Sequence, residues 1–99
     1  MDLLKRDYHI ALFDIYMELL TDKQKEYFIA YYYDDLSLAE IASEKNVSRN
    51  AIFDQIKKAI SLLEFYEEKL SLYRKRSEIE EVLEDSPQFK EKILSILKE

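Results

Sequence analysis

The sequence predicts an all-α protein organised around two short helices joined by a tight turn, and three observations carry that prediction. The 99 residues contain no glycine and a single proline, Pro87, whereas strand-and-turn folds lean on glycine for turns with positive φ. Apolar residues recur at spacings of three and four rather than alternating, which is the period of an amphipathic helix. Three helix starts are also written in side chains: Thr21-Asp22-Lys23-Gln24, Ser37-Leu38-Ala39-Glu40, and Ser48. In the first two, a hydroxyl and the side chain three residues on satisfy opposite orphan backbone amides; in the third a serine caps alone.

The elements follow in order. Residues 2–20 read as a first helix whose inner face is Leu4, Tyr8, Ala11, Ile15 and Leu19, widened by Leu12, Tyr16 and Leu20. A second helix starts at Thr21 and carries Tyr27, Phe28 and Tyr31 at i, i+1 and i+4. Successive helical residues point about 100° apart, so Tyr31, Tyr32 and Tyr33 cannot all be buried. Asp34 and Asp35 are badly placed for the helix dipole and mark its end. Ser37 opens a helix of two turns with Leu38, Ile41 and Ala42 inside, Ala42 being small enough for a close crossing. Asn46, the residue most tolerant of the left-handed region after glycine, makes the turn, and Val47 is expected to fill the gap between the two helices.

From Ser48 no breaker appears until Ser86-Pro87. Ile52, Ile56, Ala59, Leu63, Tyr66, Leu70 and Tyr73 recur as a heptad seam, which predicts one helix over 48–76, roughly 43 Å long. Its distal part must double back on the first helix or meet another chain. Ile15, Leu19, Leu63, Tyr66, Leu70 and Tyr73 are therefore expected in a seam that serves either the core or a dimer. A short acidic helix is expected over 77–85 and a last one after Ser86-Pro87, with Pro87 at the first helical position. The domain reading is 1–76 for the main unit and 77–99 for a helical appendage.

Composition narrows function by exclusion. Without cysteine there is no disulfide framework and no thiolate metal site, which fits a reducing cytosol, and no apolar run approaches the roughly 20 residues of a membrane span. The first residues lack the layout of a signal peptide, so a cytoplasmic location is expected. His9 is the sole histidine, Glu67-Glu68 and Glu80-Glu81 are adjacent rather than on one helix face, and no glycine loop can cradle a phosphate. No enzyme, cofactor or metal is expected, and His9 reads as a packed or solvated residue.

A net charge of −6 works against a nucleic-acid partner for the chain as a whole. Its distribution does not. Residues 1–44 are net −6, residues 59–99 net −3, and only 45–58 are positive, at +3. That segment is the second helix of the central pair and its approach, a helix-turn-helix in which the second helix enters the major groove. With Ile52 set inward, Asn50, Phe53, Asp54 and Lys57 lie on the outer face and Arg49 and Lys58 flank it. Asn50 can pair with an adenine edge, Phe53 can meet a thymine methyl, and Asp54 can accept from cytosine. Arg49 and Lys57 reach bases or phosphates, and Lys45, Ser48 and Lys58 lie where phosphates pass.

Leu20 to Gln24, Tyr32 to Asp35, Asp35 to Ala42, Asn46 to Arg49 and Tyr66 to Leu70 also carry, in order, motifs of the YlxM family of small bacterial helix-turn-helix proteins. The chain resembles that family over about residues 8–73, and its middle is similar to region 4 of bacterial sigma factors, which binds promoter DNA. The departures are Asn50 and Phe53, where many relatives carry glutamine and tyrosine. The resemblance implies a helix-turn-helix fold without a wing and duplex DNA as partner. Because such proteins are commonly encoded beside the signal recognition particle GTPase, it also implies a part in that pathway, with the GTPase or the particle's RNA as the alternative partner. A homodimer through the first helix and the heptad seam is expected, with no membrane contact.

Overall fold

The computed structural model describes residues 5–99, which form six α-helices, α1 (Arg6–Tyr16), α2 (Asp22–Tyr32), α3 (Leu38–Lys45), α4 (Arg49–Leu70), α5 (Leu72–Val82) and α6 (Pro87–Leu97). Three-residue 3-10 turns follow α1 and α5, and no strand is found among the described residues. The capping signals act as written. Thr21 Oγ accepts from the Gln24 amide at 3.1 Å while Gln24 accepts from the Thr21 amide at 3.0 Å. Ser37 and Glu40 repeat the exchange at 3.0 and 3.2 Å, and Ser48 caps α4 through the Ala51 amide at 3.0 Å.

Helices α1 to α4 enclose one core. Leu12, Phe13, Tyr16 and Leu20 meet Tyr27, Phe28 and Tyr32 of α2, Leu38, Ile41 and Ala42 of α3, and Ile52, Ile56, Ala59 and Leu63 of α4. Phe13 stacks on Phe28 and Phe28 on Tyr32, each with ring centroids 4.3 Å apart. Of the tyrosine run, Tyr32 is buried, Tyr31 half-buried and Tyr33 exposed, the separation that helical geometry requires.

The first helix differs from its expected form. It ends at Tyr16, and its deepest residues are His9, Leu12, Phe13 and Tyr16, while Tyr8, Ala11 and Ile15 are half-buried and Leu19 is exposed; Leu4 lies outside the described residues. The reason is that α1 is covered from two sides. One stripe faces α2 and α4; the other faces α5, where Tyr8 meets Tyr73 edge-on at 5.4 Å and Asp14 lies 3.7 Å from Arg76. Val47 does not fill the helix crossing either. It is 40% exposed, and the crossing is closed by Ile41, Ala42 and Ile52 of the core.

The expected helix over 48–76 is broken at Ser71, which adopts the left-handed conformation (φ 55°, ψ 32°). α4 is therefore about 33 Å long, and α5 folds back beside α1. The break is held by side chains remote in sequence. Glu67 Oε1 accepts from the Tyr16 hydroxyl at 2.7 Å and the Tyr73 amide at 2.9 Å, and Oε2 accepts from the Arg74 amide at 3.1 Å. The Tyr16 oxygen accepts from the Leu72 amide at 3.1 Å. The three leading amides of α5, which have no partner within the helix, are thus all satisfied, with a carboxylate at the positive end of the dipole. These gains offset the roughly 1–2 kcal/mol of a non-glycine residue in the left-handed region. The break also divides the heptad seam: Ile52, Ile56, Ala59 and Leu63 belong to the core, Tyr66 is half-buried, Leu70 is exposed, and Tyr73 belongs to α5.

This joint carries a pH dependence. Burial first, and the hydrogen bond to Glu67 second, push the Tyr16 hydroxyl from 10.0 to about 12. Above pH 10 the unfolded chain releases a proton that the folded chain retains. The contribution is complete below the unfolded value and is lost as pH rises from 10 to about 12. Thermal unfolding followed across that range should show stability falling with pH, and Tyr16→Phe should flatten part of the slope; equal slopes would assign the loss to other groups. Burial also raises Tyr8, Tyr32 and Tyr33, so some slope remains in the variant.

Past Val82 the chain makes a 3-10 turn and enters α6 with Pro87 in its first turn. Ser86 occupies the expected cap position but its side chain makes no capping bond. α5 runs through position 76 without interruption. The molecule measures 50 × 26 × 25 Å with a radius of gyration of 15.9 Å, above the ~13 Å of a compact domain of this length, because α5 and α6 extend the four-helix core.

Candidate nucleic-acid interface

The central pair is α3 and α4, joined through Asn46 in the left-handed conformation (φ 55°, ψ 42°). The Val47 amide donates back to the Ala42 carbonyl at 3.2 Å, which closes the turn. Because Ile52, Ile56 and Ala59 are fully buried, the rotation of α4 is set, and its opposite face must look outward. Ser48, Arg49, Asn50, Asp54, Lys57 and Lys58 are all exposed.

The side chains differ in how free they are. Arg49, Asn50, Asp54, Lys57 and Lys58 make no side-chain hydrogen bond or ion pair with any described residue. They are polar, unpaired and presented over the first turns of one rigid helix. Ser48 is engaged as a cap through its oxygen, which leaves its hydroxyl proton to donate outward. Lys45 is tied to Glu26 of α2, and that carboxylate holds its pKa above the ordinary 10.5. It remains a cation but must leave Glu26 to reach a phosphate. Phe53 is half-buried and packs against the core edge, so only part of its ring is available.

The structure adds Lys23, exposed in the first turn of α2. It shares a shallow hollow of about 270 Å³ with Tyr27, Val47, Ala51, Asp54, Gln55 and Lys58. The packing of α2 on α4 brings it there; the nearest signal in the sequence is the Thr21 cap, which places Lys23 at the end of a helix. The sole histidine, His9, is 4% exposed and its Nε2 lies 2.7 Å from Glu64 Oε1. A carboxylate accepts, so Nε2 carries the proton, and Nδ1 has no hydrogen-bond partner. No cluster of histidine, cysteine or carboxylate side chains among the described residues could hold a metal ion. No helix there is long and apolar enough to cross a membrane.

Two capped helices crossing at a small residue, a left-handed turn between them and a second helix with an unpaired polar face define a helix-turn-helix protein. Residues 3–98 match the UPF0122 family model, described as "Putative helix-turn-helix protein, YlxM / p13 like", and the chain belongs to that family. The match extends past position 73, where the motifs read from the sequence stop, and takes in α5 and α6. The chain is 54% identical over 78 residues to a UPF0122 protein of Halalkalibacterium halodurans, covering 76% of this chain and 72% of that one. It is 55% identical over 71 residues to UPF0122 protein YlxM of Bacillus subtilis, covering 72% and 64%. A UPF0122 protein of Bacillus cereus is 57% identical over 67 residues, covering 68% and 61%.

Proposed function

We propose that the protein binds duplex DNA as a regulatory protein of the cytoplasm, with α4 as its recognition helix, and that it acts by binding rather than catalysis. The observation that supports this most is the unpaired state of Arg49, Asn50, Lys57 and Lys58 on the outer face of a helix whose inner face is locked into the core. By contrast, Arg74 and Arg76 on α5 are engaged in ion pairs with Glu78 and Glu80. Asn50 and Arg49 sit in the first turn, where base edges are read, while Lys23, Lys45 and Lys58 surround it where the backbone passes. Asp54 at the centre of a positive patch favours a sequence-dependent contact, since it gains only where a cytosine amino group meets it.

The alternative is an accessory of the signal recognition particle that contacts its GTPase or RNA through the same face. The negative charge of the rest of the chain works against either nucleic acid and so favours the GTPase as that partner. A salt-titrated anisotropy assay against duplex DNA, signal recognition particle RNA and the GTPase decides between them. Duplex binding is expected to persist in Phe53→Leu, because a thymine methyl contact needs an apolar group and not a ring. Binding to RNA or GTPase alone would replace the DNA reading, and RNA binding that disappears in Phe53→Leu would assign the ring a stacking role.

A further inference from the structure

The bend at Ser71 differs from the other two left-handed corners. Asp35 and Asn46 are of the residue types that tolerate that region, and each is followed by a short link before the next helix begins. Ser71 is of neither type, and α5 begins on the very next residue, so no link separates it from α4. Residues 49–82 contain no glycine and no proline. A change of φ and ψ at one residue would therefore join α4 and α5 into a single helix over 49–82, roughly 51 Å long.

The amides at the bend have two sets of acceptors. In the bent form Leu72 donates to the Tyr16 hydroxyl, and Tyr73 and Arg74 donate to the Glu67 carboxylate. In the straight form the same three would donate to the carbonyls of Glu68, Lys69 and Leu70, four residues back. Neither form leaves these donors stranded, and only the bent one bears the cost of a left-handed serine.

What straightening uncovers is the outer stripe of α1. There Tyr73 meets Tyr8 edge-on at 5.4 Å and Arg76 lies 3.7 Å from Asp14, while Leu97 and Lys98 of α6 line a hollow with Asp14 and Ile15. No residue of α5 or α6 is buried, so the contact that must open is shallow. The surface that fits the released α5–α6 arm is α1 of a second copy, because each of these contacts given up within one chain can be made again between two. Leu70 and Leu72, 45% and 44% exposed on the two sides of Ser71, lie where the chains of such a pair cross.

We propose that Ser71 is an exchange hinge: in a two-fold dimer α4 and α5 form one helix, and the α5–α6 arm of each chain packs on α1 of the other. A short hinge under strain favours such an exchange. Arg49 and Lys57 lie on α4 well before the hinge, so the exchange does not depend on DNA recognition.

Light scattering of the full chain, unfolded and refolded at high micromolar concentration, tests it. The wild type is expected to yield a species of twice its 11.9 kDa mass. Ser71→Gly relieves the bend and weakens the straight helix at both hinges of the pair. It should raise the dimer dissociation constant at least about 30-fold, with helical circular dichroism retained. A second measurement separates exchange from side-by-side association. The Asp14→Arg chain and the Arg76→Asp chain each set like charges against one another at the α1–α5 contact. An exchanged pair made of one of each restores opposite charges at both contacts. Refolded together, the two chains should give the mixed pair in at least about threefold excess over the random proportion, read by native mass spectrometry. A wild type that stays monomeric overturns the proposal, as does a dimer indifferent to Ser71→Gly or a mixed pair in random proportion.

Discussion

Replacing Arg49 and Lys57 together by alanine is expected to weaken duplex binding by at least about 30-fold, about 2 kcal/mol, with the fold intact. Both side chains are exposed and unpaired in the free protein, so their removal leaves no buried partner stranded and stability should change by less than about 0.5 kcal/mol each. The salt dependence separates their roles. Removing a side chain that neutralises one phosphate lowers the slope of log affinity against log salt by about 0.9 for B-form DNA. Removing one that reads a base lowers affinity for one sequence and leaves the slope in place. Arg49, in the first turn beside Asn50, is expected to act on sequence preference, and Lys57, two turns further on, on the slope. Duplex affinity unchanged in the double variant would sink the assignment of the α4 face. A titration in which only the slope falls would keep the face but reduce it to binding the DNA backbone.

Glu67→Ala should be the most damaging single substitution outside the hydrophobic core. It strips the Tyr16 hydroxyl and the Tyr73 and Arg74 amides of their acceptor at once. Bonds to a charged acceptor contribute about 1.5–3 kcal/mol, and partly buried donors left unpaired add a desolvation cost. A loss of about 3 kcal/mol overall is expected, which for a chain of this size lowers the melting temperature by roughly 12–24 °C. Glu67→Gln keeps one acceptor oxygen and should fall between. The readout specific to the joint is amide exchange at Leu72, Tyr73 and Arg74, which should accelerate more than exchange at Ile52 and Ile56. Uniform acceleration along the chain would mean that Glu67 supports general stability and does not pin α5.

These residues also divide what could be read in the sequence from what could not. The caps at Thr21, Ser37 and Ser48 and the turn at Asn46 are legible because each depends on partners three or four residues away. The inward face of α3 and the proximal face of α4 are legible because burial is periodic. Ser71 is not. A serine between Leu70 and Leu72 carries no breaking signal; the carboxylate of Glu67 and the hydroxyl of Tyr16, far earlier in the chain, decide the matter. The same remoteness hides the pairing of His9 with Glu64 and of Lys45 with Glu26, and the approach of Lys23 to the reading face. Periodicity reads α1 in part: Leu12, Tyr16 and Leu20, which it adds to the inner face, are buried, whereas the burial of His9 and Phe13 and the exposure of Leu19 follow from cover on two sides. On the candidate interface, composition located the positive segment, but only the tertiary packing separates the free cations Arg49, Lys57 and Lys58 from Lys45, already engaged.

The absence of glycine acts on the state that is not folded. Asp35, Asn46 and Ser71 each take positive φ near 55° without it, and each such step costs on the order of 1–2 kcal/mol in the native chain. An average protein of this length would carry about seven glycines, each adding backbone freedom that folding must remove. A glycine-free chain lacks that freedom, worth about 0.4–1 kcal/mol for each glycine replaced by alanine at a compatible site. Its denatured ensemble therefore has fewer conformations to give up on folding. The strained corners at Asp35, Asn46 and Ser71 are thereby set against a smaller entropy loss distributed along the chain.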